Sequence, residues 1–404
     1  MSCRRIAVTG VGIVSSIGSG KDEFWGNAVA GKSGISDVKT FDTSDYLIHR
    51  GGEIKDFESE KYIPKNRLKG MAKASQFSVA ATKMALDDAR LNTKDIQLKR
   101  TGVIMGTTMA NIQSLEQIDK YWTQSGEDAV WISNIIKYPS NSISDNVGYF
   151  FGITGPNYTI PTACSAGNYS IGRSFDLIRQ DKVDLMIVGG ADPFSRITFT
   201  GFNRLFAMAP EKCQPFDRNR KGMMIGEGSG VLILEELESA KKRGADIYCE
   251  IIGYGLSCDA HHMTSPRVDG IVQVLKKAIK NSKINVNDVD YISAHGTGTP
   301  ANDKAECSAV KTVFGDRYRE IPVSSVKSML GHTMGAASAI EAIVCCLAIK
   351  DGVIPPTINY KTADPECDID CVPNKARRKE IKVALNNSLA FGGNNACAVF
   401  KKYL

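Results

Sequence analysis

Short apolar runs alternate with amphipathic segments along the whole chain of 404 residues. Apolar, strand-length runs occupy residues 6–14, 101–105, 183–188, 230–235, 248–252 and 289–293. Residues 75–89 place small and apolar side chains at helical spacing, and a second helix is predicted over 270–281. Because the strands are apolar throughout rather than alternating, this pattern predicts a mainly parallel α/β architecture.

Two segments of the chain share one pattern. In each, a strand-like run leads into small residues around a reactive side chain and then into a helix. The first segment covers 158–180 and contains Cys164, and the second covers 321–349 and contains His332. This likeness fits two halves of one design, each bringing a helix N-terminus to a shared centre. A coincidence within an ordinary α/β protein explains it equally well. The boundary between the halves is expected near 241–248.

Composition excludes several classes of protein. Apolar residues make up 43% of the chain, which is too many for a largely disordered protein. Eleven cysteines in 404 residues do not make a disulfide scaffold. Lys and Arg total 50 against 44 Asp and Glu. The net charge of +6 is too small for an obligate nucleic-acid binder, but it suits an acidic partner if one face concentrates it.

The sequence predicts neither a membrane span nor an export signal. The most apolar stretch, 335–349, is too short to span a bilayer and carries Glu341 in its middle. The apolar run at 6–14 follows Arg4 and Arg5 but is too short for a signal peptide, so it is interpreted as a first strand. A cytoplasmic protein with reduced thiols is therefore predicted.

Cys164 is the first candidate for chemistry. It stands between a strand and a helix, among the small residues of the sequence TACSAG at 162–167. A helix N-terminus carries partial positive charge, so a thiol there is expected to have a lowered pKa. This setting favours a nucleophile, and the alternative is a buried structural cysteine, as most of the other ten must be.

Two of the five histidines stand at glycine-rich junctions. His295 follows the strand predicted at 289–293, and His332 precedes a helix, with Lys327 five residues earlier. The Phe391-Gly-Gly turn between two strands exposes backbone N–H groups. With Cys164, these residues suit a thiolate and two imidazoles around a carbonyl, with N–H groups able to hold an oxyanion.

No metal or cofactor is predicted. Cys367 with Cys371, and Cys258 with His261 and His262, lack a complete four-ligand spacing. The glycines at 226–230 run into a strand rather than a helix, so they do not form a phosphate loop.

Several motifs resemble one known family in order and in content. They are VTGVGIVSSIG at 8–18, TACSAG at 162–167, VGGAD at 188–192, PFDRNRKGMMIGEGSG at 215–230, DAHHMTSP at 259–266, AHGTGTPANDKAE at 294–306, SVKSMLGHTMGAAS at 325–338 and IPPTIN at 354–359, with the turn at Phe391. With them the whole chain resembles the β-ketoacyl-acyl carrier protein synthases of the elongating Cys-His-His type. The resemblance implies an α/β, thiolase-like fold of two duplicated α/β halves in five α-β-α-β-α layers. The halves would be 1–247, with the nucleophile, and 248–404, with the two histidines.

The resemblance also implies roles for individual residues. Cys164 would take the acyl group, while His295 and His332 would serve decarboxylation of the malonyl extender. Lys327 would position His332, with Glu306 as its ionic partner, and the N–H groups of Cys164 and Phe391 would form the oxyanion hole. Implied substrate contacts are Thr297 and Thr299 on the pantetheine arm, Met109 and Phe391 as gates, and Thr264, Phe202 and Glu306.

The reaction implied is condensation of malonyl carrier with the acyl group on Cys164, and a housekeeping fatty-acid synthase is the first interpretation. The sequence departs from the usual pattern at the loop 106–111 and at Ala390, where a glycine is usual and where alanine is expected to stiffen the gate. A ketosynthase dedicated to a type II polyketide, polyene or specialised lipid therefore remains an alternative. A non-catalytic thiolase-fold scaffold is a third, and the intact set of catalytic residues argues against it.

The partner implied is an acidic acyl carrier protein, in its acyl and malonyl forms. Lys65, Arg67 and Lys69 lie in the densest basic run without acids and would dock it; the alternative is a solvated helix start. Arg204, Arg218 and Arg220 are expected to add to this surface. The family is usually homodimeric, and a heterodimer with a chain-length partner belongs to the polyketide alternative.

Overall fold

The computed structural model of the protein describes residues 4–94 and 96–404. Its strands are β1 (Ile6–Ser15), β2 (Gly18–Ser19), β3 (Ser36–Asp37), β4 (Arg50–Gly51), β5 (Thr101–Gly106), β6 (Asn157–Ile160), β7 (Leu185–Asp192), β8 (Gly228–Glu236), β9 (Cys249–Cys258), β10 (Tyr291–Ser293), β11 (Val323–Ser324), β12 (Val353–Ile354), β13 (Arg377–Arg378), β14 (Val383–Ser388) and β15 (Asn394–Lys401). Its α-helices are α1 (Lys21–Val29), α2 (Lys65–Leu68), α3 (Lys73–Asp88), α4 (Ile112–Ser125), α5 (Ile132–Ile135), α6 (Ser142–Phe151), α7 (Ala166–Arg179), α8 (Arg196–Arg204), α9 (Leu237–Lys242), α10 (Val268–Asn281), α11 (Pro300–Phe314), α12 (Lys327–Leu330) and α13 (Ala337–Asp351).

Eleven of the described strands form one sheet. Its order is β11-β10-β14-β15-β9-β1-β8-β7-β5-β6, and β2 pairs with β1. The pairing of β1 with β9, which sets Ile6 opposite Ile251, joins the five N-terminal strands to the five C-terminal ones.

The two halves of the sheet repeat one arrangement. Counted along the chain, the strands of each half lie in the order third, second, fourth, fifth, first. In each half the third, second and fourth strands are parallel, while the fifth is antiparallel to both of its neighbours. The predicted duplication is therefore confirmed. The boundary at 247/248 falls just before β9 and stays an interpretation.

The prediction of a mainly parallel sheet is wrong. Only four strand pairs of this sheet are parallel, in the part of the chain that the structure describes. The chain returns antiparallel from β7 to β8, and a short turn at Phe391–Gly393 returns it from β14 to β15. Because helices cover both faces of the sheet, its strands are apolar throughout in either direction.

Two helices lie between the halves of the sheet and form its central layer. Helices α7 and α13 pack side by side, and each contacts strands of both halves. Outside the N-terminal half lie α3 and α6, and outside the C-terminal half lie α10 and α11. This stacking gives the five layers α-β-α-β-α, with the largest apolar cluster around the two central helices.

The predicted elements recur with shifted ends. The helix predicted at 75–89 is α3, and the strand predicted at 248–252 extends as β9 to Cys258. A 3₁₀ turn precedes each central helix, at Ala163–Ser165 and at Met334–Ala336. His332 thus lies before a turn and not at the start of α13.

A single methyl group added between the central helices tests this architecture. A Cβ at Gly167 would lie 2.5 Å from the backbone nitrogen of Ala339, so Gly167→Ala forces α7 and α13 apart. We expect the free energy of unfolding to fall by about 1–3 kcal/mol, because overpacking outweighs the helical preference for alanine. Denaturant unfolding measures the change.

The matched control is Gly26→Ala in α1, where an added Cβ meets nothing within 4 Å. This variant is expected to gain roughly 0.5–1 kcal/mol from helix propensity. Equal behaviour of the two variants would contradict the close contact.

Candidate active site

The predicted chemical residues meet in one cavity of about 310 Å³. Cys164, His295 and His332 all line it, together with Phe391. His295 follows the carboxyl end of β10, and Phe391 follows the carboxyl end of β14, where sites of α/β proteins gather. The N-terminal half therefore supplies the thiol, and the C-terminal half supplies both imidazoles.

Cys164 lies in the 3₁₀ turn that leads into α7. The preceding Ala163 has φ +50°, a left-handed conformation that is rare outside glycine and that marks a strained turn. The side chain of Cys164 is only 6% exposed. The backbone N–H groups of Phe391 and of Cys164 itself are oriented toward the sulfur so that each lowers the pKa of the thiol. The predicted donors for an oxyanion thus converge on the sulfur.

The expected lowering of the thiol pKa is wrong. Burial raises the pKa of Cys164 to about 12, and Asp192 adds to the rise. The Lys327 ammonium and the two backbone N–H groups lower this pKa, but by less than burial raises it. The resting site therefore holds a thiol rather than a thiolate. Depth of burial, which the sequence pattern does not reveal, decides the sign.

His295 and His332 face each other with ring centroids 5.3 Å apart and ring planes at 80°. Burial, followed by the charge of Lys327, holds the pKa of both imidazoles well below its usual value. Both rings are therefore neutral at physiological pH.

A backbone contact fixes the tautomer of His332. The N–H of Met334 donates to its Nδ1 at 3.2 Å, so the ring proton is carried by Nε2. That Nε2 has no hydrogen-bond partner among the described residues, and neither has Nδ1 of His295. His332 therefore presents a free N–H donor.

Glu306 holds the turn that carries His295. It is fully buried and accepts hydrogen bonds from the backbone N–H groups of His295 and Gly296, each at 2.8 Å. The side chain of Asn387 donates a third, at 2.6 Å. Glu306 does not line the cavity. Its prediction as a substrate contact is wrong, since both of its oxygens are engaged behind the site.

Lys327 pairs with Glu341 and not with the predicted Glu306. Both side chains of this ion pair are buried, and burial raises the pKa of Glu341 to about 7. The sequence could not show this partner, because Glu341 lies on α13, on the far side of the intervening turn. Lys327 therefore places a buried positive charge behind the two histidines.

Most of the predicted substrate contacts lie on the cavity wall. Thr297 and Thr299 line it with their hydroxyl oxygens 2.9 Å apart, and Thr264 also lines it. The rings of Phe202 and Phe391 pack with centroids 5.5 Å apart. The cavity lining therefore contains both hydroxyl and aromatic groups.

Met109 is the exception among these contacts, since it does not line the cavity. Its backbone N–H donates to Asp192 at 2.9 Å. The structure therefore shows no contact between Met109 and the cavity that would support the predicted gating role.

Asp192 is a residue that the sequence reasoning missed. It lies buried at the end of β7 and accepts hydrogen bonds from the hydroxyl of Thr107 and the backbone N–H groups of Thr108 and Met109. The N–H of Gly335, three residues after His332, donates a further one at 2.6 Å. One carboxylate thus joins the loop after β5 to the turn that follows His332. The signal was present, because Asp192 ends the VGGAD motif at a strand's carboxyl end.

The turn after β14 takes its shape from its glycines. Gly392 and Gly393 have φ of 79° and 78°. Ala390 has φ −133°, which any residue adopts, so alanine adds no strain there. The expectation that Ala390 stiffens the turn is therefore not supported.

The predicted docking residues Lys65, Arg67 and Lys69 are all exposed at or beside α2. Lys65 makes an exposed ion pair with Glu60, and the guanidinium of Arg67 lies 4.6 Å from the ring centre of Tyr149.

Of the additional arginines, Arg204 and Arg218 are exposed as expected. Arg220 is buried and pairs with Asp364, so its inclusion in a docking surface is wrong. Burial and pairing of this arginine follow from the tertiary fold and not from the basic sequence around it.

The described residues hold no group of three or more His, Cys, Asp or Glu side chains arranged to bind a metal ion. Among the described helices, none is both long enough and apolar enough to cross a bilayer.

The chain is similar to known proteins along nearly its whole length. The family described as "Beta-ketoacyl synthase, N-terminal domain" matches residues 3–240, and its C-terminal counterpart matches 248–361. The "3-oxoacyl-[acyl-carrier-protein] synthase 2" of Staphylococcus aureus (strain N315) is 38% identical, covering 99% of each chain. The protein of the same name from Synechocystis is also 38% identical, covering 99% of this chain and 98% of the other.

Solved structures are similar over the whole chain. "The ishigamide ketosynthase/chain length factor" is 41% identical with a TM-score of 0.97, covering 100% of both chains. One chain of a complex described as a "type II PKS acyl-carrier protein in complex with its ketosynthase" is 33% identical to this chain, with a TM-score of 0.93. The match again covers 100% of both chains.

The pH dependence of alkylation tests the state of the thiol. Because the pKa of Cys164 is about 12, its iodoacetamide reaction should speed up by roughly tenfold per pH unit from about pH 7 to about pH 9.5. Peptide mass spectrometry measures the rate at Cys164, with the exposed Cys258 as an internal control. A rate at Cys164 that already levels off near pH 7 would mean that a thiolate is stabilised after all.

Proposed function

The chain belongs to the β-ketoacyl synthase family and has its thiolase-like fold, and we propose that it elongates acyl groups by two carbons as a β-ketoacyl-acyl carrier protein synthase of fatty acid biosynthesis. The observation that carries this proposal is the cavity in which one thiol meets two neutral imidazoles. Relatives named 3-oxoacyl-[acyl-carrier-protein] synthase 2 match along nearly the full length.

The first half-reaction moves the acyl group to Cys164. Its sulfur attacks the carrier thioester, the bond from the acyl carbon to the carrier sulfur breaks, and the thiol proton ends on the departing carrier arm. The N–H groups of Cys164 and Phe391 converge on the sulfur and hold the oxygen that becomes negative. Each such donor is worth about 3 kcal/mol of barrier. Thr297 and Thr299 offer hydroxyls to the pantetheine arm.

The second half-reaction uses the imidazoles. The malonyl thioester loses CO₂, and the electron pair of the broken carbon–carbon bond forms an enolate whose oxygen accepts the N–H of His332 Nε2. His295, opposite it, offers the second contact. Neutral imidazoles suit this task because they donate hydrogen bonds without protonating the carbanion. The carbanion then attacks the acyl carbon, the bond from that carbon to the Cys164 sulfur breaks, and the released thiolate takes up a proton from solvent to restore the resting thiol.

Residues behind the cavity act through the histidines. Glu306 fixes the turn of His295 by two backbone hydrogen bonds. The charge of Lys327, neutralised in part by Glu341, lowers the pKa of both rings. These three are proposed as positioning residues, and the reaction needs no cofactor.

A dedicated polyketide or polyene ketosynthase is the second candidate. It is favoured by the identity of 41% to the ishigamide ketosynthase/chain length factor, which exceeds the 38% to the fatty-acid relatives. A non-catalytic scaffold is disfavoured by the assembled site.

We propose a homodimer in the cytoplasm as the working form of the protein. At one edge of the sheet β6 has a single neighbour, β5, and Tyr158 on it is 45% exposed. Nearby on the chain, α5 and its flanks expose Trp131, Ile132 and Ile136, at 72%, 78% and 63%. An open strand edge and apolar side chains of this size suit an interface. If the protein is instead a polyketide ketosynthase, we expect the same surface to bind a chain-length partner in a heterodimer.

Acyl transfer and decarboxylation are separable in variants. With an acyl carrier substrate, the intact-protein mass should rise by one acyl group, and Cys164→Ala should lose that rise because it lacks the sulfur. His295→Ala and His332→Ala should still acylate but release CO₂ from malonyl carrier at least about 100-fold more slowly. Cys258→Ala, at an exposed cysteine, is the matched control and should behave as the unchanged protein.

An adduct that persists in Cys164→Ala would overturn the assignment of the nucleophile. Failure of the unchanged protein to release CO₂ would favour the interpretation as a non-catalytic scaffold. The same assay with a panel of acyl carriers separates the two pathways. Elongation of ordinary saturated chains supports the fatty-acid candidate, whereas elongation of only short or unsaturated chains supports the specialised one.

Docking of an acidic carrier on Lys65, Arg67 and Lys69 is testable by charge reversal. The double variant Lys65→Glu/Lys69→Glu should raise the KM for the carrier substrate about tenfold while kcat holds, and the KM of the unchanged protein should rise with salt through screening. Lys242→Glu/Lys375→Glu, at two exposed lysines elsewhere, is the control. A fall in kcat alone would argue against docking here.

A further inference from the structure

A second cavity, of about 410 Å³, lies at the other end of α7 from Cys164. It opens where β1 begins beside β9, the pair that joins the two halves of the sheet. Helix α7 has 14 residues, so the two cavities are separated by roughly 20 Å along its axis. Nothing in the reaction described above uses this second cavity.

The lining of this cavity is dominated by positive charge. Six Arg and Lys side chains contribute to it: Arg4, Arg5, Arg179, Lys283, Lys401 and Lys402. The one acidic side chain is Glu250, whose two oxygens are both bonded by Arg5 at 2.6 Å. Positive charge therefore remains after this pair is formed.

Some of these cations have structural partners and some do not. Arg4 pairs with Asp181 and Asp184, and Lys402 pairs with Glu380. Lys283 and Lys401 are exposed and make no ion pair with any residue that the structure describes. Two lysines thus project positive charge at the cavity without a protein partner to neutralise it.

The negative ends of two helices offset only part of this positive charge. Both α7 and α10 end at the cavity, and a helix C-terminus carries about half a negative charge, so the two ends offset roughly one cation. The cavity also has an apolar floor, because Phe175 and Ile251 line it and are 5% and 2% exposed. A cationic rim over an apolar floor suits an anion attached to an organic body.

From these observations we infer that this basic cavity, defined by Arg5, Arg179, Lys283 and Lys401, binds a phosphate ester. Arginine and lysine together recognise phosphate, the guanidinium by paired N–H groups and the ammonium as a point charge. The ester is either a free nucleotide-sized molecule or the headgroup of an anionic lipid. The two sources share this chemistry, and the experiment separates them.

The test uses the full chain and two double variants. Lys283→Glu/Lys401→Glu reverses the unpaired charges of the cavity, and Lys276→Glu/Lys375→Glu makes the same change of charge at exposed lysines outside it. The probes are ADP, followed by calorimetry and thermal melting, and vesicles containing phosphatidylglycerol, followed by co-sedimentation. Elongating activity serves as a check on folding and should be equal in all three proteins, since neither pair lies in the catalytic cavity.

Saturable binding of ADP that weakens at least about tenfold in the cavity variant, but not in the control, supports the inference and identifies a free ester. Vesicle binding with the same difference, without ADP binding, supports it and identifies a lipid headgroup. Absence of both, or equal weakening in the two variants, overturns it, because the charges would then only neutralise helix ends and neighbouring acids. Since activity is measured separately, loss of this site is distinguishable from failure of the proposed function.

Discussion

The site depends on how closely the two central helices approach each other. At Gly167 the backbone of α7 lies so near α13 that a Cβ would come within 2.5 Å of the Ala339 nitrogen. At Gly335 the same holds against Thr107, whose Cα would lie 2.5 Å from an added Cβ. These contacts bring the turn of Cys164, the turn after His332 and the loop after β5 into one small volume. Asp192 then ties two of them together through hydrogen bonds from both sides.

Burial at this centre controls the chemistry more than local charge does. It raises the pKa of Cys164 to about 12 and holds both imidazoles neutral, although Lys327 lies close enough to influence all three. An unpaired charge is costly in these buried surroundings, so Lys327 needs an ionic partner, and Glu341 is that partner. A neutral imidazole that is protonated on Nε2 is a hydrogen-bond donor, which is what an enolate oxygen requires. The buried ion pair and the neutral rings are thus two consequences of one environment.

Much of this arrangement could be predicted from local sequence. Apolar runs located the long strands, and glycine-rich junctions singled out Cys164, His295 and His332, because those signals are carried by neighbouring residues. Strand direction could not be predicted, since a strand buried on both faces is apolar whether it runs parallel or antiparallel. The partner of Lys327 was missed because Glu306 and Glu341 are both acidic and both near in sequence, and only the packing of α13 distinguishes them. The sign of the Cys164 pKa shift depends on burial, which is likewise a property of the assembled fold.

The division of the site between the two halves has a consequence for folding. The thiol and Asp192 come from N-terminal strands and turns, whereas the imidazoles, Glu306 and the Phe391 N–H come from the C-terminal half. Residues of the C-terminal half, among them His295, His332 and Phe391, line the same cavity as Cys164, and Phe391 belongs to the turn between β14 and β15. Since burial sets the pKa values on which the chemistry depends, a separated half would lose not only partners but also the electrostatic state of the residues it keeps. The duplicated fold therefore produces its site at the contact between repeats and within neither of them.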